Sequence, residues 1–211
     1  MCGRYSALTE DKIIEAREIM RNLSLKLTRD DFVEYSEQSS EVFPTNYAPN
    51  ITSNSDGIAF ESVKWGFKKW DSSGVIINAR SETIEQKNMF AKHLNKGRCI
   101  VPASEFYEWQ KVDRKKVKHY AKDKDGNLLF MAGLYRDLKD ESEPEGFIRE
   151  FVVITKEAVG EIAKIHNRMP VLLKSNQIEP WLNGEMPAEE LEKVEHDLKV
   201  ALCEDTQTNF F

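Results

Sequence analysis

Short apolar segments bounded by turn-forming residues fill the middle of the sequence and constrain its fold class most. They lie at residues 58–63, 74–77, 98–101, 117–121, 127–134 and 151–155, and their lengths are typical of β-strands. Two of them flank Asp125-Gly126, a pair that predicts a β-hairpin. Strands do not alternate regularly with helices, so the sequence predicts an antiparallel-rich α+β fold rather than a doubly wound sheet.

Helical signals lie mainly at the two ends of the chain. Residues 9–24 form an amphipathic pattern that Thr9 can cap. A short helix is expected at 157–165, and a longer one at 187–202, which begins at Pro187. Residues 35–41 are polar and predict a loop. With 211 residues and no internal repeat, the chain is expected to be a single domain over residues 1–211.

Composition narrows the class of protein. The 40% apolar and 31% charged content is that of a globular chain, without an apolar run long enough for a membrane helix. Residues after Met1 lack the pattern of a secretory signal. The three cysteines Cys2, Cys99 and Cys203 are too few for a disulfide framework and lack zinc-site spacing. These features predict a cytoplasmic protein without a metal or cofactor.

The net charge of −6 does not exclude a nucleic-acid partner, because phosphates respond to local patches of charge. Acidic residues concentrate at 140–145 and 185–205, whereas the middle of the chain is more basic. The basic run from Lys111 to Lys118 fits either a grip on a phosphate backbone or a solvated hairpin face. His93, His119 and His196 have no carboxylate or cysteine at ligand spacing, so they are expected to be surface or packing residues.

Cys2 is the first candidate for chemistry. Loss of Met1 would give it a free α-amine beside its thiol, with ordinary pKa values of about 7.7–8.0 and about 8.5. An aldehyde can condense with such an amine, and the thiol can then close on the imine carbon to form a five-membered thiazolidine. A cysteine without any such role is the simpler explanation of this residue alone.

Three later segments carry polar residues beside predicted strands. Asn78 offers a donor and an acceptor, and Arg80 a planar fork suited to phosphate. Residues 101–109 place a carboxylate between aromatic residues, where desolvation would raise its pKa and suit it to acid–base work. His166 and Arg168 follow another apolar strand. Each residue alone also fits an ordinary structural role.

Taken together, these segments resemble the SRAP family of SOS response-associated peptidase domains, which process abasic sites. The resemblance spans residues 2–173. It is carried, in order, by the motifs Met-Cys-Gly-Arg (1–4), Asn-Tyr-Ala-Pro (46–49), Trp-Gly (65–66), Asn-Ala-Arg-Ser-Glu-Thr (78–83), Arg-Cys-Ile-Val-Pro (98–102), Phe-Tyr-Glu-Trp (106–109) and His-Asn-Arg-Met-Pro (166–170). It implies the family's fold, an antiparallel-rich sheet or barrel-like core with flanking helices.

The resemblance also implies a function and a role for each matching residue. Self-removal of Met1 would expose Cys2, which would crosslink to ring-opened abasic sites in single-stranded DNA. The protein would be cytoplasmic and would associate with the nucleoid when bound to DNA. Asn78 would hold Cys2 and the sugar, Glu108 would transfer protons, and His166 would assist ring opening, crosslink reversal and strand-cleaving lyase chemistry. The remaining implied DNA contacts fall into two groups. Phosphates would face Arg4, Arg80 and Arg168, and the strand channel would be shaped by Asn46, Pro49, Trp65 and Trp70.

Some features depart from the family pattern or leave alternatives open. Ser104-Glu105 stands where the family often has Asp-Gly, so Glu105 competes with Glu108 as the catalytic carboxylate, and the Phe-Tyr-Glu-Trp frame favours Glu108. A glutamine amidotransferase with an N-terminal cysteine, a thiol peptidase using Cys2 and His166, and a non-catalytic module that binds single-stranded DNA are the competing functions.

Overall fold

The computed structural model describes residues 2–23, 27–30, 41–54, 57–70, 73–142 and 146–203. The strands are β1 Tyr5–Ser6, β2 Leu27–Asp30, β3 Glu41–Val42, β4 Tyr47–Asn54, β5 Gly57–Trp65, β6 Phe67–Lys68, β7 Val75–Ile76, β8 Asn78–Arg80, β9 Arg98–Ala103, β10 Glu105–Val112, β11 Lys115–Asp123, β12 Leu129–Lys139, β13 Phe147–Glu157, β14 Arg168–Pro170, β15 Leu172–Leu173 and β16 Leu198–Leu202. The α-helices are α1 Glu10–Asn22, α2 Asn88–Ala91 and α3 Ser175–Leu182, and 3-10 turns lie at Ser81–Thr83, Ile162–Lys164 and Ala188–Lys193.

The larger sheet closes on itself. Its nine strands run in the order β14-β13-β12-β9-β4-β5-β2, with β15 on β12 and β8 on β13. An additional parallel pairing joins β13 to β5 through Glu150↔Lys64 and Phe151↔Trp65. Strands β13, β12, β9, β4 and β5 therefore form a closed ring, which removes their free edges. The expected α+β, antiparallel-rich fold with a barrel-like core is confirmed.

A second sheet of five strands, in the order β16-β11-β10-β1-β3, packs against this ring. Its buried side chains join one apolar cluster with residues of the ring, including Tyr5, Trp65, Phe106 and Phe151. The rings of Trp65 and Phe151 stack with centroids 6.0 Å apart. The N-terminal strand β1 thus lies inside the molecule, between the long strand β10 and the short strand β3.

The other apolar cluster packs under the helices. The predicted helix at 9–24 is confirmed as α1, which buries Ile13, Ala16 and Met20 at helical spacing. In α3, the fully buried Trp181 donates from its Nε1 to the carbonyl oxygen of Cys99 at 2.9 Å. None of the helices in the described ranges is long and apolar enough to cross a bilayer.

The predicted helix at 187–202 is wrong. Residues 188–193 form a 3-10 turn, and residues 198–202 form β16, which pairs antiparallel with β11 from Asp123↔Leu198 to His119↔Leu202. Buried Lys156 donates to the carbonyl oxygens of Glu192 and Val194 and so ends the helical turn. The open edge of β11 then recruits the following residues into the sheet, and this pairing overrides helix propensity.

The predicted hairpin at Asp125-Gly126 is also wrong, although the turn exists. Gly126 has a φ of +83°, and Asp123 Oδ1 accepts bonds from the backbone of Asp125 and Asn127 at 3.0 Å. The flanking strands β11 and β12 belong to different sheets, so the turn carries the chain from one sheet to the other.

The remaining local predictions have mixed outcomes. The strands predicted at 58–63, 98–101 and 151–155 are confirmed within β5, β9 and β13. The short helix expected at 157–165 is a single 3-10 turn, Ile162–Lys164. The predicted loop at 35–41 lies outside the described residues except for Glu41, which begins β3.

Candidate active site

Pairing of β1 with β10 brings the start of the chain into the site. Tyr5 pairs with Phe106, and the N–H of Tyr107 donates to the carbonyl oxygen of Arg4 at 2.9 Å. The segment that leads back to Cys2 therefore runs antiparallel to β10, in the direction of Glu108. Cys2 is fully buried, so its position is set by the surrounding core.

Asn78 holds this segment from the opposite side. It begins β8, which lies parallel to β13 in the register Val153↔Asn78. Its Nδ2 donates to the carbonyl oxygen of Cys2 at 2.8 Å. Its buried Oδ1 has no hydrogen-bond partner among the described residues. An unpaired buried acceptor costs about 1–3 kcal/mol, so Asn78 is prepared to receive a donor from an amine or a hydroxyl group.

Glu108 is the buried carboxylate of the site, with 3% exposure in the middle of β10. Burial is the main cause that raises its pKa, and positive charge nearby offsets part of this shift. Burial, followed by the negative charge of Glu108, raises the pKa of the Cys2 thiol. The thiol is therefore kept protonated beside a carboxyl group that holds its own proton more tightly than an exposed glutamate does.

His166 follows the 3-10 turn Ile162–Lys164 and is partly exposed. The backbone N–H of Arg168 donates to its Nδ1 at 3.0 Å. When Nδ1 accepts this bond, the neutral imidazole carries its proton on Nε2, whereas a proton on Nδ1 would face the carbonyl oxygen of Arg168 at 3.3 Å. The site therefore combines a buried carboxyl group with an imidazole whose Nδ1 is held against the backbone of Arg168.

The side chain of Arg168 fixes the two strands that carry these groups. Its guanidinium forms a two-pronged ion pair with Glu82, with Nη2 at 2.9 Å from Oε2, and Nη2 also donates to the carbonyl oxygen of Thr155 at 2.7 Å. Glu82 lies in the turn directly after β8, so the pair joins the Asn78 strand to the His166 segment across β13. Hydrogen bonding to Arg168 lowers the pKa of Glu82, which keeps the pair ionised at neutral pH.

We expect Glu82→Gln to weaken the tautomeric preference of His166. Loss of the ionic part of the two-pronged bond should cost about 1 kcal/mol, which corresponds to a roughly fivefold change in the population ratio of the two His166 tautomers. The ¹⁵N shifts of the imidazole nitrogens report the tautomer directly. Glu85→Gln removes an exposed charge one turn away and is the matched control. Identical His166 spectra in both variants would contradict this positioning role.

The arginines expected to face phosphates differ in their surroundings. Arg4 lies 3.1 Å from Glu41, and its guanidinium lies between the rings of Phe43 and Trp109, at 4.2 and 4.9 Å from their centroids. Arg168 is occupied by Glu82, and its side chain is only 11% exposed. A phosphate would have to displace a carboxylate at either residue. Arg80 is exposed and forms no ion pair with a described carboxylate.

Two of the residues expected to shape the strand channel are buried. Trp65 has 0% exposure and donates from Nε1 to the carbonyl oxygen of Ile77 at 3.0 Å. Pro49 is also buried, within β4. Trp65 packs against Tyr5 and Phe151, and neither Trp65 nor Pro49 presents an exposed side chain to a base in this structure. Asn46 is partly exposed and accepts the N–H of Phe43 through its Oδ1. Trp70 is 78% exposed, and the guanidinium carbon of Arg136 lies 5.8 Å from the centroid of its ring.

The structure therefore brings Cys2, Asn78, Glu108 and His166 together, and their catalytic roles stay a prediction. Sequence reasoning missed Glu82 as the partner of Arg168, since 86 positions separate the two residues. The described residues contain no group of three or more His, Cys, Asp or Glu side chains arranged to hold a metal ion.

Comparison with known proteins identifies relatives along nearly the whole chain. A profile of the SOS response associated peptidase (SRAP) family matches residues 1–206. The abasic site processing protein YoqW of Bacillus subtilis (strain 168) is 34% identical over 193 residues, which cover 87% of this chain and 80% of that protein. The abasic site processing protein YedK of Escherichia coli (strain K12) is 27% identical over 199 residues, 92% and 85% of the two chains.

A crystal structure of a protein from Bacteroides thetaiotaomicron has the same fold, with a TM-score of 0.77 at 24% identity, covering 97% of this chain and 93% of that one. The family profile spans both sheets and all four residues of the site described above. The chain therefore belongs to the SOS response associated peptidase (SRAP) family.

Proposed function

We propose that this protein processes abasic sites in single-stranded DNA by capturing them covalently through Cys2. The observation that carries the proposal is the hydrogen bond from Asn78 to Cys2, which holds residue 2 beside Glu108 and His166. Relatives named abasic site processing proteins in bacteria and yeast support the substrate class.

The proposed reaction begins with removal of Met1, because condensation needs the α-amine of Cys2. The amine nitrogen attacks the aldehyde carbon of the ring-opened sugar to give a carbinolamine, which loses water to form an imine. The thiol sulfur then adds to the imine carbon, and its proton moves to the nitrogen. The product is a thiazolidine, and the only molecule released in the capture is one water.

The residues of the site divide the proton transfers among them. Glu108 in its protonated form donates to the departing hydroxyl of the carbinolamine, a step that its raised pKa favours. His166 directs Nε2–H toward the sugar and assists ring opening. Asn78 keeps the Cys2 carbonyl in place, and its unpaired Oδ1 accepts from the amine or from a sugar hydroxyl.

The test is the intact mass of the purified protein before and after exposure to a single-stranded abasic oligonucleotide. We expect a starting mass lower by one methionine residue, and then an adduct equal to protein plus DNA less one water. Cys2→Ala should give no adduct, whereas Cys203→Ala, which removes a partly exposed thiol, should react like the wild type. Retention of Met1 in active protein, or an adduct with Cys2→Ala, would refute the mechanism.

The same preparation separates the competing functions. Hydrolysis of glutamine would indicate an amidotransferase, and cleavage of unrelated peptides would indicate a general thiol peptidase. Binding of single strands without any adduct would indicate a non-catalytic module. We expect no glutaminase activity and no cleavage of unrelated peptides.

A further inference from the structure

The tip of the β10–β11 hairpin carries the densest group of available cations near the site. We call the exposed residues Lys111, Arg114, Lys115 and Lys116 the basic tip. Between residues 111 and 116 the only acid is Asp113. None of the four cations pairs with a carboxylate within the described ranges, and their charges are open to an outside anion.

Other cations on this side of the molecule are already neutralised. Arg4 and Lys118 both contact Glu41, and Arg168 is held by Glu82. An approaching phosphate gains less from such residues, because it must replace an existing carboxylate partner. The basic tip and Arg80 require no such exchange, and the basic tip is therefore the strongest anion-binding candidate on the hairpin.

The basic tip has a fixed position relative to the reacting groups. Lys111 lies three residues beyond Glu108 on β10, and Lys116 lies opposite Lys111 in the register. At about 3.3 Å per residue, Lys111 lies about 10 Å from Glu108, and β10 ends about 13 Å from Glu108 at Val112, directly before the turn that carries Arg114. Gln110 donates from Nε2 to the carbonyl oxygen of Lys164 at 3.1 Å, and this bond ties the hairpin to the turn before His166.

We infer that the basic tip binds backbone phosphates of the DNA strand that flanks the captured abasic site. The tip therefore meets phosphates more than about 10 Å from the lesion, on one side of it. The inference rests on the proposed function for the identity of the lesion, but it concerns non-covalent binding by residues outside the site.

The test measures affinity for single strands that contain a non-reactive tetrahydrofuran abasic analogue. Flanks of about two and about eight nucleotides, on the 5′ or the 3′ side, separate contacts at the site from contacts at the tip. The tip variant replaces all four cations by glutamine. A control variant removes the same charge from exposed lysines on other elements. Its substitutions are Lys139→Gln, Lys174→Gln, Lys193→Gln and Lys199→Gln.

For wild type and control, we expect a long flank on one side to tighten binding at least about tenfold, and the tip variant to lose this gain. Each lost phosphate contact should lower the slope of log K against log salt by about 0.7. Replacement of Lys111, Lys115 and Lys116 by arginine instead of glutamine should restore the gain in affinity from the long flank. Equal flank effects in tip and control variants, or no flank effect in wild type, would overturn the inference.

Covalent reactivity is a separate readout that distinguishes this inference from the proposed function. The tip variant should still form the Cys2 adduct with a short-flank abasic strand, which also shows that it is folded. Wild type that shows the flank effect but forms no adduct would refute the proposed function and leave phosphate binding by the tip intact. Wild type that forms the adduct without any flank effect would refute phosphate binding by the tip and leave the proposed function intact.

Discussion

Glu108→Gln is expected to slow adduct formation by roughly 10²–10⁴-fold, the usual contribution of a positioned acid or base, with little change in non-covalent DNA affinity. Glutamine keeps the shape of the side chain but cannot supply a proton for loss of water. The carboxyl group is 3% exposed, so bulk water cannot easily replace it. Single-turnover rates from quenched reactions, compared with binding to an unreactive analogue, give both quantities.

Glu105→Gln is the matched control. Glu105 and Glu108 are three residues apart on one strand, so their side chains lie on opposite faces of the sheet. Glu105 accepts a hydrogen bond from the hydroxyl of Tyr107 at 2.6 Å instead of facing Cys2. We expect this variant to react within about threefold of wild type, since it lacks a part in the proton transfer. Comparable losses in both variants would reject Glu108 as the proton donor.

The dependence on pH supplies a second check on Glu108. The α-amine of Cys2 reacts only when neutral, so the rate falls on the acid side as the amine gains a proton. Burial raises the pKa of Glu108, and the rate should fall on the alkaline side as this carboxyl group loses its proton. Glu108→Gln should keep the acid limb and lose the alkaline limb. A full bell-shaped profile in the variant would assign the alkaline limb to another group.

The four candidate residues lie in segments that the sequence makes recognisable. Asn78 and Glu108 stand beside strands whose apolar residues are buried, and the strand pattern finds such segments reliably. Burial of Cys2 could not be predicted, since it depends on pairing of the two-residue strand β1 with β10. Trp65 shows the same limit, because an aromatic in a motif can serve the core as well as a ligand.

Long-range strand pairing also explains why two of the secondary-structure predictions were wrong. Asp125-Gly126 specifies a turn, but the sheet that each flanking strand joins depends on partners far away in the chain. Leu198 and Leu202 fit a helical face, yet the edge of β11 offers hydrogen bonds that draw them into β16. The link between Glu82 and Arg168 arises only once β8 and β14 both flank β13.

Glu150→Ala is expected to lower the free energy of unfolding by about 3–5 kcal/mol, the usual cost of leaving one charge of a buried pair without its partner. Arg136 and Glu150 lie opposite each other on β12 and β13, each side chain 5% exposed, with Nε at 2.9 Å from Oε2. Denaturant titration measures the change. Glu161→Ala breaks an exposed pair with Lys164 and should cost at most about 1 kcal/mol.

The same two side chains form hydrogen bonds with both backbone polar groups of Lys68. Lys68 N–H donates to Glu150 Oε2 at 3.1 Å, and Arg136 Nη2 donates to the Lys68 carbonyl oxygen at 2.7 Å. Glu150→Ala should therefore speed hydrogen exchange at the Lys68 amide by more than the global loss of stability explains, and should loosen the segment that presents Trp70.

Apolar replacement of both Arg136 and Glu150 should recover part of the free energy of unfolding, because no charge is then left buried. Exchange at Lys68 should stay fast in this double variant. A double variant less stable than Glu150→Ala alone would show that the pair is not the source of the effect.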